Sequence, residues 1–203
     1  FFTNLKASIM PYLFSVAVEA SKSGIPTMRA MVLEFENDKN VMNINTQYML
    51  GPSLLVAPIF NDEGLAEFYL PKGKWTNYFT GEVKEGPFWI SGEKYNYLSI
   101  PLFVRENSIV IVGNNNSRPD YDYADGCEVK IYQLIESVET KATVYDMKKN
   151  VDLEIAAKKE NGKIKISSKS SKPYSIRLVN TEVSAVTGGS EKIDGKDTII
   201  KPE

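Results

Sequence analysis

A mainly β fold is predicted for this 203-residue chain: two antiparallel β-sandwich domains preceded by one N-terminal α-helix. Three observations predict it. Apolar residues recur at helical spacing only over residues 1–23. From residue 27 onward the apolar period is two, in short runs with turn signals about every ten residues. Residues 113–126, GNNNSRPDYDYADG, hold no aliphatic run and are rich in turn formers, so they divide a more apolar set of strands from a more polar one. The expected boundaries are 1–24 for the helix, 25–115 for a first sandwich and 116–203 for a second.

In the helix, Leu5, Ile9, Tyr12, Leu13, Val16, Ala17 and Ala20 share one side, and Asn4, Ser8, Ser15, Glu19 and Lys22 the other. Met10, Phe14 and Val18 widen the apolar arc. Pro11 should kink the helix or mark its start, and Gly24 with Pro26 supplies the stop. A helix this apolar either has a partner outside the chain or packs on the following sheet alone. From Thr27 to Phe35 both faces are apolar, which predicts a central strand. The stretch Gln47–Phe60, QYMLGPSLLVAPIF, carries the run Leu54-Leu55-Val56-Ala57 between a Gly51-Pro52 turn and Pro58, a strand buried on both faces. TMRAMVLEF before it and AEFYLP after it are its expected partners in one sheet.

After AEFYLP, Pro71-Lys72-Gly73 reads as a hairpin turn with KWTNYF as the return strand. Turns at Thr80-Gly81-Glu82 and Gly86-Pro87 should separate short strands, and LSIPLFV and SIVIVG should pair around Arg105-Glu106-Asn107. Past residue 126, CEVKIYQLI, KATVYD, VDLEIAAKK, KIKISS and YSIRLV alternate more cleanly, as strands with one solvated face do. Asn161-Gly162 is the strongest hairpin signal. The tail from Gly188 should end in one short strand at Thr198–Ile200.

Composition narrows the chemistry. An apolar fraction of 42%, a charged fraction of 25% and a net charge of -2 describe an ordinary soluble domain pair, with no nucleic-acid or membrane partner implied. The lone Cys127 rules out an intramolecular disulfide and fits a reducing, cytoplasmic compartment. The absence of histidine removes Ser-His and Cys-His dyads and His-ligated metals. No cofactor or metal is expected, and any catalysis would rest on carboxylates, Lys or Tyr.

The run of PYLFSVAVEA, GIPTMRAMVLEF, QYMLGPSLLVAPIF, YLPKGKWTNYFTGE and IPLFVRENSIVIVGNNNSRPDYD closely resembles the C-terminal part of glycoside hydrolase family 31, nearest its bacterial α-xylosidases. The resemblance covers residues 1–126 and is weak beyond them. It implies that residues 1–24 are the last helix of a (β/α)8 barrel, followed by a proximal and a distal β-sandwich. It implies a retaining α-glycosidase, an α-xylosidase or α-glucosidase, whose two catalytic aspartates lie upstream, so no catalytic residue is carried onto this chain. The expected partners are the missing N-terminal and barrel domains, and a second copy in a homo-oligomer. The orphan helix is explained on this basis.

Several side chains could form sites, and each has a simpler duty beside that. Glu34 and Glu36 flank Phe35 and share one side of a strand, but ion pairing with Arg29 and a turn account for them. Asp62-Glu63 sit in a glycine turn. Asp120, Asp122 and Asp125 look like a calcium loop, but the EF-hand spacing fails, with Asp125 in the glycine position and Ile131 in place of the last glutamate. Among Trp75, Tyr78, Phe79, Phe88, Trp89, Tyr95 and Tyr97, core duty is favoured. Trp75 and Trp89 are the candidates for stacking a sugar if the chain is a stand-alone carbohydrate-binding sandwich. Arg105 is read as a turn cap or interface residue.

Overall fold

Gly51 sits at φ +64°, and the turn it makes with Pro52 folds the stretch Gln47–Phe60 back on itself as two strands rather than one. In the computed structural model, which describes residues 1–203, β2 (Tyr48–Leu50) pairs with β3 (Leu54–Val56) in the register Tyr48↔Val56, Met49↔Leu55, Leu50↔Leu54. All three residues of β3 are buried, as the apolar run requires. This hairpin lies within the unit Gly24–Glu106, and Phe1–Ser23 with Asn107–Glu203 forms a second unit.

The first unit is one all-antiparallel six-stranded sheet in the order β1-β2-β3-β6-β4-β5, with β1 at Met28–Ala30, β4 at Leu65–Asn77, β5 at Val83–Lys94 and β6 at Leu102–Arg105. Three expectations are corrected here. The strand from Thr27 is neither long nor central. It is the edge strand β1, and the chain turns at once into the helical turn α3 (Met31–Glu34). Its double-sided apolarity misled because Met31 is buried beneath the turn while Met28 and Leu33 face outward at 60% and 53% exposure. Pro71-Lys72-Gly73 is not a hairpin turn. β4 runs straight through it as a bulge, with Leu70 opposite Phe88 and Gly73 opposite Gly86. β5 likewise continues through Gly86-Pro87.

That bulge bends the β4–β5 ribbon. Lys84 and Glu93 lie nine residues apart on one strand, about 30 Å if extended, yet their side chains form an ion pair at 2.6 Å. The ribbon therefore folds back over itself. Trp75, Phe68 and Ala66 share one buried cluster, and half-buried Tyr95 packs against it. Gln47 secures the arrangement: its carboxamide donates to the Tyr69 carbonyl at 2.8 Å and accepts from the Tyr69 N–H at 2.7 Å, as a neighbouring strand would.

The second unit has two sheets. β7 (Ser108–Val112), β8 (Cys127–Tyr132), β12 (Tyr174–Val179), β13 (Gly189–Asp194) and β14 (Asp197–Pro202) make a five-stranded sheet in the order β13-β14-β12-β8-β7, and β9 (Glu139–Tyr145), β10 (Val151–Glu160) and β11 (Lys163–Ser170) a three-stranded one. β7 thus pairs with β8, not with β6 as LSIPLFV and SIVIVG suggested, and it joins the second unit although it falls within the expected span 25–115. β8 and β12 run parallel, the exception in an otherwise antiparallel architecture. The tail gives a hairpin, β13 and β14, rather than one strand. Alternation does what it promised. Cys127, Val129 and Ile131 of β8, Ile176 and Leu178 of β12, and Leu153, Ile155 and Ala157 of β10 fill one core. Asn161-Gly162, both at positive φ, turns β10 into β11.

Residues 1–23 form two helices, α1 (Phe2–Ser8) and α2 (Met10–Ser23), rather than one. Pro11 is the cause. It has no N–H to give the Ala7 carbonyl four residues back, and the Tyr121 hydroxyl donates to that oxygen at 2.8 Å. The Gly113 N–H donates to the next carbonyl, Ser8, at 2.7 Å. A Cβ at Gly113 would lie 2.1 Å from the Tyr121 hydroxyl, so a larger residue there would push that side chain off the Ala7 carbonyl. Burial pushes that hydroxyl up to about 12, with Tyr123 and Cys127 adding to it, so it stays a donor. α2 packs on β7 and β9, with Met10 and Phe14 against the core of this unit. The helix therefore has neighbours within the chain.

One charge cluster fastens the outer face of the larger sheet. Arg177 on β12 reaches Glu128 (2.9 Å), Asp194 (2.8 Å) and Asp197 (3.0 Å), tying β8 to the β13–β14 hairpin. Burial pushes the guanidinium down, but its three carboxylates outweigh that and hold it above its ordinary value. Arg177, by hydrogen bond and then by charge, holds Asp194 below the usual carboxylate range. Replacing Arg177 by Met leaves three carboxylates facing one another, and we expect about 1–2 kcal/mol of lost stability at neutral pH. Asp194 has its folded value depressed, so its contribution is complete above the unfolded value of about 3.9 and is lost as pH falls through the folded one. Melting curves by circular dichroism should therefore differ most between wild type and R177M at pH 7, with the difference shrinking only as pH falls below about 3.9.

Candidate functional site

Placement of the acidic candidates follows directly from these elements. Glu34, at the end of α3, pairs with Arg29 at 2.7 Å and Arg105 at 3.3 Å, while Glu36 is exposed in the turn that follows. Arg105 also lies over the Phe35 ring, 4.8 Å from its centroid. The side chains of Glu34 and Glu36 thus go to separate duties. Asp62 and Glu63 are exposed in a turn. Asp120 binds Arg118, and Asp122 shares Lys172 with Asp152, at 2.8 and 2.6 Å. Burial pushes the Asp122 carboxyl up, but Lys172 and the backbone N–H groups of Asp125 and Ala124 hold it below the usual range. No group of three acidic, Cys or His side chains converges as a metal would need. Cys127 is buried, and burial pushes its thiol up to about 12, which makes it inert.

The aromatic set divides. Trp75 is 1% exposed and its indole N–H donates to the Pro71 carbonyl at 2.8 Å, so no ligand can reach it. Tyr78 and Tyr95 are half-buried, and Phe79, Phe88 and Tyr97 are exposed. Trp89 is the one with a built setting. It sits on the edge strand β5 opposite Tyr69 of β4, 47% exposed, its ring centroid 5.3 Å from that of Tyr69. Tyr69 is buried and immobilised from three directions. Gln47 holds its backbone, its hydroxyl donates to Asp38 at 2.8 Å, and the Asn40 amide donates to that hydroxyl at 3.2 Å. Asp38 in turn accepts from the Asn40 backbone at 3.0 Å and from its side chain at 2.9 Å. Burial pushes the Asp38 carboxyl up, and the bonds from Tyr69 and Asn40 outweigh it, leaving it below the usual range. The result is a Tyr69 ring held in place by an ionised carboxylate and a carboxamide at its hydroxyl. Tyr69, Asp38, Asn40 and Gln47 were not singled out from the sequence. Asp38 and Tyr69 lie 31 residues apart, and no local pattern links a turn aspartate to a strand tyrosine.

This arrangement offers stacking and hydrogen bonding. It does not offer an acid and nucleophile pair about 5–5.5 Å apart, as retaining glycoside hydrolysis requires.

Residues 24–110 match the glycosyl hydrolase family 31 C-terminal domain, and residues 122–203 match the C-terminal domain of α-xylosidase YicI. The chain is similar to the α-xylosidase XylQ of Lactiplantibacillus pentosus, with 41% identity over 165 residues, 79% of this chain but 21% of XylQ. Among solved structures it is similar to the family 31 α-xylosidase of Xanthomonas citri (27% identity, TM-score 0.72, 89% of this chain and 21% of that one). In fold it is similar to a family 31 dextranase of Flavobacterium johnsoniae (22% identity, TM-score 0.82, 98% of this chain and 30% of that one). The chain thus spans about a fifth of the length of XylQ. These two domain matches and the similarity to XylQ place the chain in glycoside hydrolase family 31, as a C-terminal part.

Proposed function

We propose that this chain serves as the C-terminal structural part of a retaining α-xylosidase, whose hydrolytic carboxylates lie outside it. The match of residues 122–203 to an α-xylosidase C-terminal domain carries the choice of α-xylosidase over α-glucosidase, and the similarity to XylQ supports it. The structural role rests on the acidic side chains described above, each engaged in an ion pair or a turn rather than paired for catalysis. The helices of residues 1–23, seated in the second unit, suit the place where the rest of such an enzyme would join. No helix is long and apolar enough to cross a membrane. A single, buried cysteine, Cys127, supports a cytoplasmic setting.

The purified chain is expected to release no nitrophenol from nitrophenyl α-xyloside or α-glucoside, and the longer gene product containing it is expected to cleave the α-xyloside faster. Turnover that follows the chain through repurification overturns the structural role. A longer enzyme that cleaves only the α-glucoside overturns the α-xylosidase assignment.

A further inference from the structure

We propose that Asn161 is a self-modifying residue: the backbone nitrogen of Gly162 attacks its side-chain carboxamide, water opens the resulting ring to aspartate or isoaspartate, and Glu136 is the strap that slows the step.

The chain holds three pairs in which glycine follows Asn or Asp, and so puts no side chain in the way of such an attack: Asp125-Gly126, Asn161-Gly162 and Asp194-Gly195. At two of them a reacting group is engaged. The Gly126 N–H donates to the Pro173 carbonyl at 2.8 Å, which occupies the nucleophile. The Asp194 carboxylate is held ionised against Arg177 at 2.8 Å, which makes it a poor electrophile. At Asn161-Gly162 both groups are open. The two residues are exposed at the tip of the β10–β11 hairpin, and neither the Asn161 carboxamide nor the Gly162 N–H makes a hydrogen bond within the chain. A Cβ built on Gly162 would meet nothing within 4 Å, so there is room for a ring. Other exposed asparagines have their carboxamides tied down, as Asn61 to the Leu65 carbonyl at 2.7 Å and Asn150 to Asp146 at 2.9 Å.

Ring closure requires the Asn161-Gly162 peptide to leave its left-handed turn, where the two residues stand at φ +51° and +74°. The tip of a hairpin whose second strand is a sheet edge opens at little cost, and β11 is an edge strand. The restraint comes from the loop after β8. The Glu136 carboxylate accepts the Asn161 N–H, and the neighbouring Ser137 N–H donates to the Lys159 carbonyl at 2.8 Å. In the step itself, base takes the Gly162 amide proton and that nitrogen bonds to Asn161 Cγ. The bond from Cγ to the side-chain nitrogen breaks, and ammonia leaves. One water then hydrolyses the imide, giving aspartate by opening at Cγ and isoaspartate by opening at the main-chain carbonyl. The product sets a new carboxylate beside Glu160, and the isoaspartyl link adds a methylene carbon to the main chain of a two-residue turn, so the tip loses its fit to Glu136.

Incubating the 203-residue chain in mildly alkaline buffer and mapping its peptides by mass spectrometry is expected to show the acid at position 161 in two chromatographic forms, one of them methylated by a protein isoaspartyl methyltransferase. The rate should rise with hydroxide, while Asp125 and Asp194 stay normal aspartates. Glu136→Ala keeps both reacting groups and should speed conversion about twofold to tenfold, the worth of one hydrogen bond. Asn161→Gln should abolish it. Conversion more than about tenfold slower in the folded chain than in urea means a tip that stays shut, and it overturns the proposal. Faster conversion at another asparagine of the folded chain overturns it as well, and a rate unchanged in Glu136→Ala overturns the strap.

Discussion

Replacing Gly86 by alanine should unfold or severely loosen the unit Gly24–Glu106. A Cβ at this position would lie 2.2 Å from the Pro71 carbonyl oxygen and 2.5 Å from that of Leu70, both backbone atoms that no rotamer change can move aside. Relief requires the two strands to separate at the bulge, where Gly73 opposes Gly86 and the ribbon bends. Overpacking of this kind costs typically 1–3 kcal/mol and more when the backbone must move, and we expect about 3 kcal/mol or above. Because both tryptophans lie in this unit, urea unfolding followed by tryptophan emission reports on it alone. The midpoint in G86A should fall sharply, while G162A, whose strain at φ +74° falls in the other unit, should leave that midpoint unchanged.

Trp75→Ala should be comparably damaging, for a different reason. Trp75 is the largest of the fully buried side chains and lies where the folded-back ribbon closes. Truncation removes about 3–5 kcal/mol of packing and leaves the Pro71 carbonyl without its indole donor, a further cost of about 1 kcal/mol. Against the few kcal/mol of net stability that a unit of this size holds, that approaches complete unfolding, visible as a drop in melting temperature by scanning calorimetry. Trp89→Ala, half-exposed, should cost about 1 kcal/mol or less. The contrast between two tryptophans fourteen positions apart, each on a neighbouring strand of one ribbon, separates a core residue from a half-exposed one.

Much of this was legible in the sequence where local chemistry decides. Alternation placed Val129, Ile131, Ile155 and Leu178 in the second core, and Asn161-Gly162 announced its hairpin. Glu34 pairs with Arg29 as read, and the family resemblance rests on words that local pattern preserves. What escaped was non-local. Pro71-Lys72-Gly73 has turn chemistry, but whether it closes a hairpin or bulges a continuous strand depends on the partner, twelve or more residues on. The pairing of β7 with β8 rather than β6 is a choice among similar apolar strands that no single strand encodes. The Tyr69–Asp38–Trp89 setting assembles residues from a turn and two strands. Each is ordinary by itself, which is why Trp89 could be named and its surroundings could not.

The break at Pro11 carries a consequence for assembly. An uninterrupted amphipathic helix seated on a sheet by an apolar stripe has several nearly equivalent resting places, one turn apart, because one row of aliphatic side chains meets another much as its neighbour would. Two directional bonds to two consecutive carbonyls, from Tyr121 to Ala7 and from Gly113 to Ser8, remove that degeneracy. They act like the teeth of a key, accepting one axial position and one rotation. Pro11 opens the first of those two carbonyls, and the two bonds together turn a slippery contact into an indexed one.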